Sequence, residues 1–201
     1  MDLSRREFVK LSGVAGVGAI GVGGLSVAGG ASENERASKC DHVRAAGDRP
    51  HVQSVNLNGF VAPKLNTVRV GFIGIGNRGS AAVKRVAQIE GVEVRALCDL
   101  VPGRVDRSKA WLSEHFGIEP AGYSGEEDSW MALCERDDID LVYICTPWAL
   151  HTPNAVRSME QGKHAAVEVP AATTVEDCWR LVETAERTGL HCMMLENCCY
   201  D

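Results

Sequence analysis

Residues 67–201 predict an α/β fold, a doubly wound parallel sheet with helices on both faces, and three observations carry that prediction. Short β-branched apolar runs alternate with stretches of helical spacing from Val68 onward. The runs lack polar–apolar alternation, as expected of strands covered on both faces. A glycine-rich turn joins the first run to the first helix.

In chain order, Val68–Ile73 reads as a strand, Ser80–Ile89 as a helix and Val92–Cys98 as a second strand. Val101–Phe116 reads as a helix, with Pro102 in its first turn where a missing N–H costs nothing. A helix over Asp128–Glu135, a buried strand over Leu141–Cys145 and a helix over Pro153–Gln161 follow. His164–Val167 is a strand. Thr174-Val175-Glu176-Asp177 resembles a capping box that opens a helix to Arg187, closed by Gly189. Cys192–Leu195 is the last strand.

The N-terminus is different. Ser4-Arg5-Arg6-Glu7-Phe8-Val9-Lys10 precedes a charge-free stretch, Leu11 to Ser32, crowded with glycine between Gly13 and Gly30. A basic start, an apolar run and small-residue exits at Ser26-Val27-Ala28 and Gly29-Gly30-Ala31 make a signal peptide over residues 1–31. Its Arg pair resembles a twin-arginine export signal, which implies a periplasmic or extracellular protein that crosses the membrane folded. So many glycines make a poor membrane-spanning helix. Residues 32–66 read as a loosely packed linker, and residues 67–201 as a dinucleotide-binding domain.

Lys and Arg total 21 against 27 Asp and Glu, so the chain lacks the basic face that nucleic-acid binding needs. The eight cysteines include no CxxC pair and no zinc-site spacing, so neither a metal centre nor a disulfide scaffold is expected.

Gly74-Ile75-Gly76-Asn77-Arg78-Gly79 matches GxGxxG in the required strand–turn–helix context. Gly74 permits the tight turn, Gly76 lets a pyrophosphate approach, and Gly79 lets the helix pack on the strand. The helix N-terminus offers N–H groups to phosphate. Asp99, ending the second strand, suits a ribose diol and repels a 2′-phosphate, which favours NAD over NADP; Arg78 is the opposing clue. Ligands of such sheets lie past the carboxyl ends of the strands. That rule adds Thr146-Pro147-Trp148-Ala149-Leu150-His151, Glu168-Val169-Pro170 and Glu196-Asn197. Trp148 is expected to wall a ring and His151 to reach a ribose. The carboxylates Glu126, Glu127 and Asp128 read as a solvated charge run.

The glycine turn, Cys145-Thr146-Pro147…His151 and Glu168-Val169-Pro170 resemble the glucose-fructose oxidoreductase/inositol dehydrogenase superfamily, a group of Rossmann-type enzymes. That superfamily usually carries Glu-Lys-Pro, and here Val169 stands in place of the Lys. CTPWALHTP (Cys145–Pro153), VEVPAA (Val167–Ala172) and HCMMLENCCY (His191–Tyr200) are similar to glycoside hydrolase family 109, the NAD-dependent α-N-acetylgalactosaminidases. The resemblance covers about two-thirds of the chain, Val68 to Asp201. Carried over by position, it places NAD contacts on Asn77, Arg78, Asp99, Trp148, Ala149, Leu150, His151, Glu168, Val169 and Asn197. It implies hydrolysis through transient C3 oxidation, elimination, water addition and re-reduction. It also implies a following α+β domain that holds the catalytic residues, so the 201 residues alone are expected to be inactive. Tyr200 is the one Tyr the sequence places near a strand end, and it takes no role on that ground.

The partners so implied are a terminal α-N-acetylgalactosaminide, the twin-arginine export machinery and further copies of the chain as a homo-oligomer. An exported NAD-dependent sugar oxidoreductase and a non-catalytic nucleotide-binding module are the competing functions.

Overall fold

The computed structural model describes residues 41–197, which fall within one compact unit. The signal-peptide reading and Tyr200 lie outside the described residues. From Val68 onward, among the described residues, six strands alternate with five helices: β1 (Val68–Ile73), α1 (Asn77–Val86), β2 (Val92–Asp99), α2 (Pro102–Phe116), β3 (Ala121–Ser124), α3 (Ser129–Cys134), β4 (Leu141–Ile144), α4 (His151–Glu160), β5 (His164–Val167), α5 (Val175–Thr188) and β6 (Cys192–Met194). A 3-10 turn, Trp148–Leu150, precedes α4. All strand pairs are parallel, in the order β3-β2-β1-β4-β5-β6, which is the doubly wound sheet the sequence predicts.

Strands β1, β2 and β4 send side chains to two separate cores. Val70 and Phe72 of β1, with Val94 and Leu97 of β2, pack beneath α1 and α2 through Ala82, Val83, Val105 and Leu112. Ile73, Ala96, Val142, Ile144, Ala165 and Val167 pack on the other face against Leu133, Ala155, Met159 and Leu181. Phe72 and Leu97 are completely buried; a large apolar side chain so placed contributes about 1.5–3 kcal/mol. Gly71 belongs to the second face because a Cβ there would lie 2.8 Å from Ile139 and 2.9 Å from Leu133.

Most boundaries shift by a residue or so from the sequence reading, α1 also stops at Val86 rather than Ile89, and three departures have a clear physical reason. Helix α1 starts at Asn77, three residues early, because Ser80 N–H already reaches Gly76 O at 2.8 Å. Helix α4 starts at His151, with Pro153 tolerated in its first turn. Strand β3 was not expected at all. Its sequence, Ala-Gly-Tyr-Ser, carries no apolar run, and it is held as an edge strand by pairing with β2. Gly122 admits Val105 of α2, which a Cβ would meet at 2.9 Å.

Helix α5 begins as the capping box predicts, with Thr174 Oγ1 accepting from Asp177 N–H at 3.1 Å, and ends at Gly189 in the left-handed conformation. Residues 41–66 are tied to this helix more specifically than a loose linker would be. Trp179 Nε1 donates to Ala46 O at 3.0 Å, Arg49 pairs with Glu183, and the buried Glu186 accepts from Ser54 N–H at 3.1 Å and Ser54 Oγ at 3.2 Å.

Candidate cofactor site

Between Ile73 and Asn77 the chain reverses from strand to helix at the carboxyl edge of the sheet. Gly74 has φ +82°, and a Cβ there would sit 2.6 Å from Cys145 O. Gly79 faces that turn so closely that a Cβ would fall 2.0 Å from Gly74 O. Gly76 differs from both. Its φ is −66°, and a Cβ would meet only the Arg104 guanidinium, at 3.9 Å. Two glycines are therefore required by the fold, and Gly76 leaves open space. No side chain caps α1 at Gly76, and its first turn carries no acid, so its N–H end suits an anion. The open cradle at Gly76, under an uncapped helix end, fits a pyrophosphate.

A cleft of about 480 Å³ runs from this turn across the ends of β1, β2 and β4. Its lining includes Gly74, Gly76, Asp99, Arg104, Trp130 and Pro147. A larger cavity of about 890 Å³ lies at the opposite, amino ends of the strands, beside Val68, Leu141, His164 and Cys192. The carboxyl-end rule selects the first of these.

Asp99 is only 6% exposed. Oδ2 accepts from Ile75 N–H at 2.8 Å, while Oδ1 accepts from Val101 N–H at 2.9 Å and from Arg104 at 3.1 Å. This corrects the expectation of a carboxylate open to a whole ribose diol: it pins the glycine loop to β2, and only Oδ2 keeps a spare lone pair.

Arg78 points the other way. Its Nε donates to Glu168 Oε1 at 2.8 Å, at the end of β5, and that bond raises its pKa. Strands β2 and β5 are three strand steps apart, about 14 Å, so Arg78 is not aimed at the ribose end. Tyr143 OH donates to the same Glu168 oxygen at 3.2 Å. Burial, with Cys145 and Glu168 nearby, pushes the Tyr143 hydroxyl up to about 12, so it remains a donor at neutral pH. Burial also pushes the Cys98 and Cys145 thiols, both lining the cleft, up to about 12, which leaves them inert as nucleophiles.

His151 overturns its expected role. The ring is 1% exposed, with Nδ1 2.6 Å from Pro170 O and Nε2 2.7 Å from Thr146 O. It ties the loop after β4 to the loop after β5 and has no nitrogen left for a ribose. Trp148, Ala149 and Leu150 form an exposed turn above β4, Trp148 being 64% exposed. Val169 is 38% exposed just past β5, and Asn197 is exposed just past β6. Glu126 and Glu127, read from sequence as solvated charges, line the cleft. Sequence reasoning missed Arg104 and Tyr143. Arg104 follows Asp99 by five residues in the first turn of α2, and that spacing was the available signal.

A family model described as "Oxidoreductase family, NAD-binding Rossmann fold" (GFO_IDH_MocA) matches residues 68–196. The chain belongs to this family. Within this oxidoreductase family, the chain is 58% identical over 143 residues to an α-N-acetylgalactosaminidase of Bacteroides fragilis, covering 71% of this chain and 33% of that protein. It is 44% identical over 200 residues to a glycosyl hydrolase family 109 protein of Shewanella pealeana, covering 100% of this chain and 41% of the relative. The chain thus spans between a third and a half of the length of these relatives.

Among solved structures, scyllo-inositol dehydrogenase from Lactobacillus casei with bound NAD(H) and scyllo-inositol superposes with TM-score 0.58 at 22% identity, covering 67% of this chain and 38% of that one. A 3-ketoreductase from Actinomadura kijaniata in complex with NADP and TDP-benzene gives 0.55 at 31%, covering 65% and 37%. The first likeness concerns the fold alone.

Proposed function

We propose that this chain is the NAD-binding part of a glycosidase that hydrolyses α-N-acetylgalactosaminides and returns its cofactor to the starting oxidation state in each turnover. The observation that carries the reading is Val169 next to Glu168 at the end of β5, in a chain 58% identical to an α-N-acetylgalactosaminidase over 143 residues. The usual superfamily Lys, a cation for alcohol oxidation, is replaced there by an apolar side chain.

When bound, NAD supplies reversible oxidation of the sugar C3 hydroxyl, which acidifies the C2 hydrogen so that the glycosidic oxygen can leave. The chain's own residues hold and orient. The Gly74–Gly79 turn and the N-terminus of α1 receive the pyrophosphate. Asp99 Oδ2 takes one ribose hydroxyl. Glu168 is fixed by Arg78 and Tyr143 at the end of β5. Trp148 and Val169 present exposed apolar surface past the ends of β4 and β5. Arg5-Arg6 and the glycine-rich stretch after them support export by the twin-arginine route, with residues 1–31 removed and residues 32–66 leading into the domain at 67–201.

A second reading, an exported sugar dehydrogenase, is favoured by the oxidoreductase family match. One assay separates the two. The complete product of the gene that encodes this chain is given p-nitrophenyl α-N-acetylgalactosaminide and excess NAD+, with p-nitrophenol and NADH followed together. Phenol release without NADH accumulation is expected. NADH formed in step with consumed sugar, and no phenol, would replace the glycosidase by the dehydrogenase.

A further inference from the structure

Ahead of β1, the turn Asn56-Leu57-Asn58-Gly59-Phe60 is built to hold Leu57 in place. Asn56 Oδ1 accepts from Asn58 N–H at 2.9 Å, and Phe60 N–H donates to Leu57 O at 3.0 Å. Gly59 takes φ +75°, a conformation that favours glycine. Both ends of the turn are anchored. Before it, Ser54 donates twice to the buried Glu186 of α5. After it, the Phe60 ring lies 4.6 Å from the ring of His191, which leads into β6.

Among the described residues before β1, Leu57 alone packs against the hydrophobic core. It meets the cluster that holds Leu181 and Ala185 of α5, and Ala171 and Ala172 pack on the same cluster. Leu57 also lines one cavity of about 550 Å³ together with Pro170, Ala171 and Ala172. The loop after β5 is therefore held from two sides. From α4, His151 Nδ1 lies 2.6 Å from Pro170 O, and Thr152 Oγ1 donates to Ala171 O at 3.2 Å. From the α5 side the hold is apolar, and Leu57 supplies it.

We infer that Leu57 is a positioning residue, and that the turn at 56–60 is a strut which fixes the Pro170–Ala172 loop and thereby Glu168 and Val169, the residues just before it. This rests on the reading that the end of β5 serves the cofactor. Leu57 acts through the loop. Without it the main chain past Val169 is tied on the α4 side only, and the carboxylate of Glu168 is presented less uniformly.

The test is equilibrium titration of NAD+ against the whole chain and its variants, well below their melting points, with thermal melts alongside. Leu57→Ala is expected to weaken NAD+ binding about fivefold, the scale on which residues out of contact with a ligand act. Leu57→Met keeps the volume and is expected to restore wild-type affinity. Gly59→Ala leaves Leu57 present and strains only the turn, so it is expected to weaken binding too, and it decides the matter should Leu57→Ala not fold. Trp179→Phe is the structural control. It removes the bond to Ala46 O, ahead of the turn, and is expected to lower the melting point with affinity unchanged. Wild-type affinity in folded Leu57→Ala, or a loss of affinity in Trp179→Phe as large as that in Leu57→Ala, makes Leu57 a packing residue and overturns the inference. The cofactor reading then stands as long as Gly76→Val still weakens binding. A wild-type chain that binds no NAD+ overturns both.

Discussion

Gly79→Ala is expected to cost the domain about 3 kcal/mol and to weaken NAD+ binding at least tenfold. The methyl group would lie 2.0 Å from Gly74 O, 2.9 Å from Gly74 C and 3.3 Å from Cys145 Cβ. The first two are backbone atoms, so no rotamer change relieves the clash. Helix α1 must back away from the turn, and overpacking of this kind costs 1–3 kcal/mol or more. The N–H groups that receive phosphate move with the helix, which couples the loss of stability to the loss of affinity. Gly103→Ala serves as the control. A Cβ there meets only the flexible Arg107 guanidinium, at 3.6 Å, and α2 gains a better helix former. A thermal melt and an NAD+ titration on both variants check the prediction. Wild-type values for Gly79→Ala would contradict it.

His151→Ala is expected to be the most destabilising change in the site, by about 3–5 kcal/mol. The ring is 1% exposed, so truncation leaves a cavity, and large-to-small changes of that kind cost several kcal/mol. It also strips the ring N–H donor from one of the two carbonyls it faces, Thr146 O or Pro170 O, and an orphaned buried acceptor adds about 1–3 kcal/mol. At roughly 2–4 °C per kcal/mol for a domain of this size, the melting point should fall by about 10 °C or more. The loops after β4 and β5 then lose their tie, so NAD+ affinity falls as well. A His151 that only met ribose would show lost affinity with an unchanged melting point, and that result would restore the role read from sequence.

The sheet was legible because its strands are written locally. Val68–Ile73, with Arg69 its one charge, and Leu141–Ile144 are mainly apolar runs that no helix period explains, and Gly74 and Gly79 mark the turn where only glycine fits. Strand β3 was not legible, since Ala-Gly-Tyr-Ser becomes a strand only through its pairing with β2 and the approach of Val105 to Gly122. The positions of Asp99, Glu168 and His151 at strand ends could be read, but their partners could not. Tyr143 meets Glu168 across 25 residues, and His151 meets Pro170 across 19. Arg78 shows the limit most plainly. Its place in the glycine motif suggested the ribose phosphate, and only the strand order shows that it faces β5.

The central claim is that the cleft at the carboxyl ends of β1, β2 and β4 is where NAD sits, and Gly76→Val tests it most directly. Gly76 has a negative φ of −66° and open space around its Cβ, so a side chain there meets no clash within the fold. A pyrophosphate against the backbone is what a side chain there would displace. Gly76 is the N-cap of α1, where Val is poorer than Gly by about 1 kcal/mol, so the variant should stay folded and melt about 2–4 °C below wild type. Its NAD+ affinity, measured by equilibrium titration, should fall at least tenfold. Wild-type affinity in a folded Gly76→Val chain would contradict the account and place the cofactor elsewhere.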